Sequence, residues 1–484
     1  MVMNRMKNTL FVLFGAVALC VAGSLLGRDI YRSMWRPSSV VILSTNDIHA
    51  SLGNFARLAT AVERCRDTVF TILVDAGDRW TGNAYVDLAE DRKPIIDLMN
   101  SINYDVATFG NHEFDCGAGL LGRAVAQAEF NVVCANMTSH TEALPTPAKG
   151  TTIVSPEGVR FDFVGVVTNY NNGHPDGDEA SFEGLSFEDP QQAAVRQARA
   201  MRGDVRVLLS HMGDDKDMEL AARTPIFNLI IGGHTHRQLD TLVGRTTIGQ
   251  TGRKLKNVGV TRISFKGCRV ASIEYENLPL ADYEEDAEVK EHIAHIEKNP
   301  ILKRKAGTLA TTLDHTGLAH LQTMVVAEAT GADVGLYHYG GVRLESLESG
   351  VVTIKDIFDN EPFFTQVVTA TMSAEQLRRM IVAKYNDTKN PKEAHRIDIF
   401  ATTPYDIIVD GADCALDVRF HALKEGVKYK VAMPDYMAEN YPAIECDDMT
   451  RTPLKVYDLG LDYFARHSPV SVSNTPLQRV VKQK

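Results

Sequence analysis

The chain has 484 residues, of which 44% are hydrophobic and 23% charged, and its formal net charge is −11. A single hydrophobic core rarely grows beyond about 250–300 residues, so this length predicts more than one domain. The acidic balance gives no positive surface for a nucleic-acid backbone, and we expect no nucleic-acid partner. An anionic substrate therefore has to be attracted by local positive charge, which bound metal ions would supply.

The first stretch of the chain is typical of a secretory signal. Arg5 and Lys7 precede an apolar run over residues 10–26, which matches the charged and hydrophobic regions of such signals. The run is close to the ~18–20 residues that a membrane-spanning helix needs, so a cleaved signal and a retained N-terminal anchor both stay open. We assign residues 1–27 to this segment. We predict an exported protein, periplasmic or at the cell surface, with membrane attachment through the N-terminus as the alternative to a free form.

Six cysteines follow that segment: Cys65, Cys116, Cys134, Cys268, Cys414 and Cys446. An oxidising compartment permits disulfides. Six cysteines allow many pairings, and the sequence does not select among them.

Five apolar runs in the first half of the chain are each followed by His, Asp or Asn. The runs span 40–43, 71–74, 105–109, 205–209 and 227–231, and the polar residues after them are Asp47 and His49, Asp78, Asn111 and His112, His211, and His234 and His236. Runs rich in β-branched residues and bounded by glycine predict buried strands. Because open α/β sheets bind ligands at the carboxyl ends of their strands, we expect these side chains to lie close together.

The types of these residues indicate a metal site. Carboxylate, amide and imidazole ligands without a thiol suit Zn, Mn or Fe rather than Mg alone. The number of candidates is about what two metals sharing one bridging carboxylate require.

Helical spacing occurs at 56–62, 95–99 and 191–198, between the predicted strands. Residues 246–250, 258–263 and 270–275 predict successive antiparallel strands. The charged stretch 281–306 predicts a linker helix, and a second domain is expected from residue 307 onward.

The order and the residues of these motifs resemble those of the calcineurin-like metallophosphoesterases, and within them the bacterial 5'-nucleotidase and UDP-sugar hydrolase family. The motifs are Ser44-Thr45-Asn46-Asp47-Ile48-His49, Asp75-Ala76-Gly77-Asp78, Gly110-Asn111-His112-Glu113-Phe114-Asp115, His211 and Gly232-Gly233-His234-Thr235-His236. The resemblance implies a two-domain α/β fold. Residues 37–280 would form a metallophosphoesterase β-sandwich flanked by helices, and residues 307–484 a 5'-nucleotidase-type α/β substrate-binding domain.

The resemblance also implies a role for each residue of the site. Asp78 bridges two divalent ions, Zn, Mn or similar, with Asp47, His49 and His236 on one ion and Asn111, His211 and His234 on the other. His112 is a catalytic residue that donates to the phosphoryl or leaving-group oxygen, and Asp115 fixes its tautomer.

In the second domain the resemblance places Arg343 on the substrate and Phe363 against a base. Three positions depart from the family pattern: His338 replaces an asparagine, Ala327 an arginine, and Glu439-Asn440-Tyr441-Pro442 a glycine-rich stretch that carries a second aromatic ring. Tyr441 or Tyr436 is the candidate replacement for that ring. Since a base held between two rings needs both of them, we expect only a modest preference for nucleotides.

We therefore expect a metal-dependent phosphoric ester hydrolase that cleaves phosphomonoesters, with nucleotides as its expected small-molecule substrates, through a metal-activated hydroxide. Two other hydrolases stay open on the same metals, a cyclic-nucleotide or UDP-sugar phosphodiesterase and a sulfur-ester enzyme of the thiosulfohydrolase type. A non-catalytic binding protein is the third alternative, against which the intact ligand set argues. The leaving group, the metal and the oligomeric state are left open by the sequence.

Overall fold

The computed structural model describes residues 39–266, 269–363, 365–387 and 395–483. The chain divides into two compact units. The first unit contains the residues up to Trp80 together with Ile95–Ile293, and the second contains Thr81–Pro94 and the residues from Ala294 onward. The second unit therefore takes a short segment from the middle of the first. The domain boundaries given above stay predictions, and the signal segment 1–27 lies outside the described residues.

Two six-stranded sheets make up most of the first unit. The strands of the first sheet are β1 (Ser39–Thr45), β2 (Thr71–Asp75), β3 (Val106–Ala107), β4 (Asn131–Val132), β13 (Asn257–Lys266) and β14 (Arg269–Pro279). Those of the second are β6 (Gly150–Val154), β7 (Arg160–Val167), β9 (Val205–His211), β10 (Leu229–Gly232), β11 (Gln238–Val243) and β12 (Thr246–Thr251), and β5 (Met137–Ser139) pairs separately with β8 (Leu185–Phe187). The orders are β14-β13-β1-β2-β3-β4 and β11-β12-β10-β9-β7-β6.

Helices accompany both sheets. They are Phe55–Arg66, Lys93–Ser101, Gly117–Val125, Pro190–Ala200, Asp214–Arg223 and Ala287–Ile296, with short 3-10 turns at His112–Phe114, Glu179–Phe182 and Leu280–Asp282. The helix from Pro190 begins with a proline at its first turn, and the Asp189 carboxylate accepts the backbone N–H of Gln192 at 2.7 Å. That side chain satisfies one of the donors that every helix start leaves unpaired.

The two sheets pack face to face. Ile42 and Val74 of the first sheet share one fully buried apolar cluster with Phe163 and Leu209 of the second. Alternate residues of the second sheet, such as Leu208, point to its other face and pack against the helices there. Because both faces of this sheet are covered at its centre, the central strands β9 and β10 are largely apolar. The predicted β-sandwich flanked by helices is confirmed.

The strand predictions hold with one correction. All five motif-bearing runs contain a strand, although β3 is only two residues long. The prediction of three successive antiparallel strands was wrong for 246–250. That strand, β12, pairs antiparallel with β11 and parallel with β10, in the sheet that does not contain β13. Both of its neighbours precede it in the sequence, so the short connection from β12 to β13 gave a misleading signal.

The second unit is a smaller α/β body. Its strands are β15 (Lys305–Leu309), β16 (Leu313–Asp314), β17 (Val334–His338), β18 (Ser346–Leu347), β19 (Gly350–Thr353), β20 (Gln366–Ser373), β21 (Ile399–Ala401), β22 (Tyr405–Val409), β23 (Ala415–Phe420), β24 (Lys428–Pro434), β25 (Asp447–Lys455) and β26 (Gln478–Lys482). Five of them form a sheet in the order β21-β17-β24-β20-β25, and three form β23-β22-β26. The helices are Ala84–Asp87, His315–Thr330, Ile354–Asn360, Ala374–Tyr385, Asp435–Asn440 and Val456–His467, with 3-10 turns at Glu90–Arg92 and Tyr339–Gly341.

The segment Thr81–Pro94 is part of the core of this unit. Ala84 is fully buried in an apolar cluster with Leu318 and Phe358, and Tyr85 and Leu88 pack against the same cluster. The segment is thus held by residues that follow it by more than two hundred positions in the chain.

Two further features bear on expectations from the sequence: the pairing of the cysteines and the presence of a membrane-spanning helix. Cys65, Cys134, Cys414 and Cys446 are free thiols, and Cys268 lies outside the described residues. Among the helices that the structure describes, none has the length and apolar character needed to cross a bilayer.

Candidate metal centre

The candidate ligands leave the sheets at the carboxyl ends of parallel strands. β1 and β2 are parallel neighbours in the first sheet, and β9 and β10 are parallel neighbours in the second. Asp47 and Asp78 follow the first pair, while His211 ends β9 and His234 follows β10. The backbone N–H of His234 lies 3.1 Å from both carboxylate oxygens of Asp47, so the edges of the two sheets meet at this point.

One group of predicted ligands is compact. Asp47, His49, Asp78 and His236 each offer a ligand atom, and these atoms all lie within 4.8 Å of one another. The Nε2 atoms of His49 and His236 are 2.9 Å apart, and His236 Nε2 is 3.5 Å from Asp47 Oδ1.

The remaining ligands gather on the other side of Asp78. His211 Nε2 is 3.1 Å from Asp78 Oδ2, and His234 Nδ1 is 3.1 Å from Asn111 Oδ1. The rings of His211 and His234 meet edge to face with centroids 5.3 Å apart. The structure thus brings together all seven predicted ligands, with Asp78 between the two groups. Their individual roles stay predictions.

The charges of the centre fit a bound cation. Burial, together with the charge of Asp78, raises the pKa of Asp47 to about 6. Burial lowers the pKa of His211, but the carboxylates of Asp78 and Asp47 outweigh it and raise the value to about 10. A proton on His211 therefore compensates the charge of the two buried carboxylates, Asp47 and Asp78. A bound cation would do the same at this place.

The nitrogen positions fit a cation as well. The buried His211 Nε2 faces Asp78 Oδ2 at 3.1 Å and Asp47 Oδ1 at 4.0 Å, so a cation could take the place of a proton between them. Burial lowers the pKa of His236 to about 4, so its imidazole is neutral and able to coordinate. His234 and His236 are partly exposed, with side-chain exposures of 27% and 34%, so the centre is accessible to solvent from their side.

His112 lies beside this centre in a different setting. Its backbone N–H donates to Asp78 Oδ1 at 2.9 Å, and its Nδ1 is 2.9 Å from Asp115 Oδ2. Burial lowers the pKa of His112, but the charges of Asp115 and Asp78 outweigh it and raise the value to about 9. The ring partner of His112 is thus a carboxylate outside the candidate ligands, an arrangement that suits a hydrogen-bond donor.

Sequence reasoning missed the residue that joins the two loops carrying Asp78 and Asn111. Both oxygens of the buried Glu113 accept backbone N–H groups: Oε2 accepts from Asp78 at 2.9 Å and from Gly110, and Oε1 accepts from Arg79 at 2.8 Å. The loops are so close that a Cβ on Gly110 would lie 2.2 Å from Asp78 Oδ1. The Gly-Asn-His-Glu motif contained Glu113, but nothing in it indicated this function.

Several ligands have strained backbones. Asp47, His49, Asp78, His234 and His236 have φ of 50°, 47°, 58°, 80° and 58°. Non-glycine residues in this left-handed region cost roughly 1–3 kcal/mol each and persist where the surroundings hold them, typically at functional sites. The Asn46 side chain is one such support, since it donates to Asp47 Oδ2 at 2.5 Å and to Gly252 O at 2.8 Å.

A second residue missed from the sequence is Asp176. Its Oδ2 lies 3.2 Å from His234 Nε2. Burial raises the pKa of Asp176, but the hydrogen bond and charge of His234 outweigh it and the net shift is downward. No motif surrounds Asp176 in the sequence, so only the folded loop could reveal it.

The predicted substrate-binding residues lie in the second unit. The Arg343 guanidinium is 5.3 Å from the centroid of the Phe363 ring, so the two side chains are neighbours. Of the two candidate replacement rings, Tyr441 is buried and its hydroxyl donates to Asp398. Tyr436 is 50% exposed and its ring stacks on His338, with centroids 5.0 Å apart. Tyr436 is therefore the better placed of the two for a stacking contact, and the roles of Arg343 and Phe363 stay predictions.

Comparison with known proteins matches both halves of the chain. The family model of the calcineurin-like phosphoesterases matches residues 40–238, and that of the 5'-nucleotidase C-terminal domain matches residues 292–445. The chain is 26% identical over 413 residues to the trifunctional nucleotide phosphoesterase protein YfkN of Bacillus subtilis, a match that covers 72% of this chain and 28% of that much longer protein. It is 24% identical over 523 residues to protein UshA of Yersinia enterocolitica, over 90% of this chain and 92% of that one.

A solved structure supports the fold. The 5'-nucleotidase precursor of Thermus thermophilus superposes with a TM-score of 0.73 at 19% identity, over 92% of this chain and 100% of that one. The two family models together cover about three-quarters of the sequence, in the order that the two halves of the fold require. The chain belongs to the calcineurin-like phosphoesterases that carry a 5'-nucleotidase C-terminal domain.

Proposed function

We propose that the protein is an exported phosphohydrolase that uses two divalent metal ions to cleave phosphomonoesters, with nucleotides among its substrates. The observation that carries this proposal is the gathering of six candidate ligand side chains around a seventh, Asp78, in the ligand types and order of the family. Protein YfkN and the Thermus 5'-nucleotidase, whose names refer to nucleotides, support the substrate class. Export to the periplasm or cell surface is supported by the character of residues 1–27 alone.

Asp47, His49 and His236 would hold one ion and Asn111, His211 and His234 the other, with Asp78 shared between them. When bound, such a pair supplies Lewis acidity and an activated water near neutral pH. The residues of the chain determine the rest. Asn111 contributes an uncharged oxygen, which leaves the centre positive enough to attract an anionic ester.

His112 would donate a proton or a hydrogen bond to the phosphoryl or leaving-group oxygen. The Asp115 carboxylate accepts from Nδ1 and so fixes the ring and its protonation state. Its edge-to-face contact with His49, at 5.2 Å between centroids, keeps the ring next to the metal ligands.

Arg343 and Phe363 would contact the substrate from the second domain, as an anion partner and a flat apolar surface. One aromatic stack on a base contributes ~1–3 kcal/mol. With a second stacking ring replaced by the His338–Tyr436 pair, we expect a preference for nucleoside monophosphates over simple aryl phosphates of no more than about ten- to a hundredfold.

The test combines metal analysis with a substrate panel. Protein purified without chelator should hold close to two transition ions per chain and hydrolyse AMP and 4-nitrophenyl phosphate with Mn²⁺ or Zn²⁺. Asp78→Asn, which keeps the shape but removes the bridging charge, should lose most of both metals and the activity. Full metal content and activity in that variant would exclude the shared-ligand assignment. If the protein hydrolyses only cyclic nucleotides, UDP-sugars or sulfur esters, the proposed phosphomonoester activity is wrong and the corresponding alternative activity takes its place.

A further inference from the structure

We infer that Asp176 is a positioning residue for the second metal: it holds His234 in the tautomer and orientation that this ion needs. The inference rests on the proposed two-metal site and assigns a function to a residue outside every motif of the chain. The observation behind it is that both nitrogens of the His234 ring face a specific oxygen. Nε2 is 3.2 Å from Asp176 Oδ2, and Nδ1 is 3.1 Å from Asn111 Oδ1.

The chemistry of the two contacts differs. An ionised carboxylate only accepts hydrogen bonds, so Asp176 requires the proton of a neutral His234 to be on Nε2. Nδ1 then carries the lone pair that a metal ligand needs, and it faces the Asn111 oxygen, the predicted ligand of the same ion. A carboxylate behind the imidazole of a ligand also raises the basicity of the coordinating nitrogen.

The loop that carries Asp176 is anchored by a ring contact between residues on either side of it. The His174 ring stacks on Phe182 with centroids 4.7 Å apart and an interplanar angle of 26°. Phe182 in turn packs against Phe114 and Phe187, at 5.6 and 5.8 Å. Asp176 therefore lies between two fixed points, the stacked His174 and the buried Phe182.

The same aromatic cluster also positions the second contact of His234. Phe114 is the last residue of the His112–Phe114 turn, and the residue just before that turn is Asn111. Both oxygens that face the His234 ring thus come from segments packed on one cluster. The His234 ring is partly exposed, and besides these two oxygens it meets the His211 ring edge to face at 5.3 Å between centroids.

The test measures metal binding directly. Chelated wild-type protein is titrated with Mn²⁺ by calorimetry and with Co²⁺ by visible absorption, beside Asp176→Ala and Asp176→Asn. We expect Asp176→Ala to weaken the binding of one of the two ions by about 10–100-fold and to leave the binding of the other unchanged. Loss of a carboxylate that holds a ligand histidine has effects of that size. The affinity of Asp176→Asn for that ion should lie between those of the wild type and Asp176→Ala. The asparagine amide oxygen still accepts a hydrogen bond from Nε2, but it carries no charge.

Asp178→Asn is the matched control. It removes the same charge two residues away, where the side chain accepts the backbone N–H of Ala180 at 3.2 Å and an asparagine can do the same. Wild-type metal binding in Asp178→Asn together with the graded loss at Asp176 supports the inference. Unchanged binding in Asp176→Ala overturns it, as does equal weakening of both ions. Fewer than two ions in the wild type would instead overturn the proposed function, and this inference with it.

Discussion

At the scale of single residues, the centre separates its histidines by their surroundings. His211 is enclosed between two carboxylates, His236 is held neutral by burial, and His112 is paired with a carboxylate outside the ligand set. The same side chain can thus act as a ligand at two of these positions and as a proton donor at the third. Burial and the identity of the neighbouring carboxylate therefore distinguish the surroundings of these three histidines.

His112 provides the prediction at this scale. We expect His112→Ala to retain both metals while kcat falls by ~10²–10⁴, because a general acid is lost and no ligand is removed. The measurement is kcat for 4-nitrophenyl phosphate together with the metal content of the same preparation. Asp115→Asn is the companion variant and should show a smaller loss, since the imidazole remains. Loss of metal along with activity in His112→Ala would make His112 a ligand or a scaffold residue.

At the scale of elements, the strand ends could be predicted and the loops between them could not. The run 40–43 is apolar throughout and 205–209 is interrupted only by Arg206, because both of their sides are buried, and this gives a local signal. Asp176 depends on a loop whose position is determined by Phe182 and Phe114, more than sixty residues apart in the chain. The pairing of β12 failed for a different reason, since no strand was predicted over Gln238–Val243, the segment with which it forms a hairpin.

An element of the second unit provides a pH-dependent prediction. Glu361, at the end of the helix Ile354–Asn360, is buried, and burial raises its pKa to about 7 although Thr365 donates to it at 2.6 Å. The folded state therefore binds a proton that the unfolded chain, with a pKa near its ordinary 4.5, releases first. The resulting stabilisation is complete below about pH 4.5 and is lost as the pH rises through about 7.

Glu361→Gln should remove this dependence, because the amide is neutral at every pH. Relative to the wild type, the variant should gain on the order of 3 kcal/mol between pH 4.5 and 8. The measurement is the urea midpoint of both proteins across that range, with chelator present so that metal binding does not contribute. Parallel curves for the two proteins would contradict a neutral Glu361.

At the scale of the whole molecule, the two units are interleaved along the chain. A family model that matches one continuous stretch, residues 40–238, includes Thr81–Pro94, although this segment packs in the other unit. Ala84, Tyr85 and Leu88 are ordinary apolar residues in the sequence, so nothing local distinguishes them from core residues of the first unit. The family and the gathering of the candidate ligands could be predicted from motifs, whereas this exchange of a segment could not.

A truncated chain tests the interleaving. A fragment of residues 39–293 lacks the cluster around Leu318 and Phe358, so its segment Thr81–Pro94 should be exposed. We expect thermolysin, which cleaves at apolar residues, to cut the fragment within this segment much faster than it cuts the full chain there. Mass spectrometry of the first products locates the cut. Equal resistance in both proteins would show that the segment is held without its partners.

This arrangement also has a consequence for the order of synthesis. Thr81–Pro94 emerges from the ribosome about two hundred residues before the first of its packing partners, and domains generally fold as units from the N-terminal end. Its local hydrogen bonds can form early, because the Asp87 carboxylate accepts the backbone N–H groups of Thr81, Gly82 and Asn83. Its apolar side chains cannot be buried until their packing partners have been synthesised. A nascent chain halted before residue 294 should therefore bind chaperones through this segment, and we expect crosslinks from Tyr85 or Leu88 to disappear once the remaining chain is released.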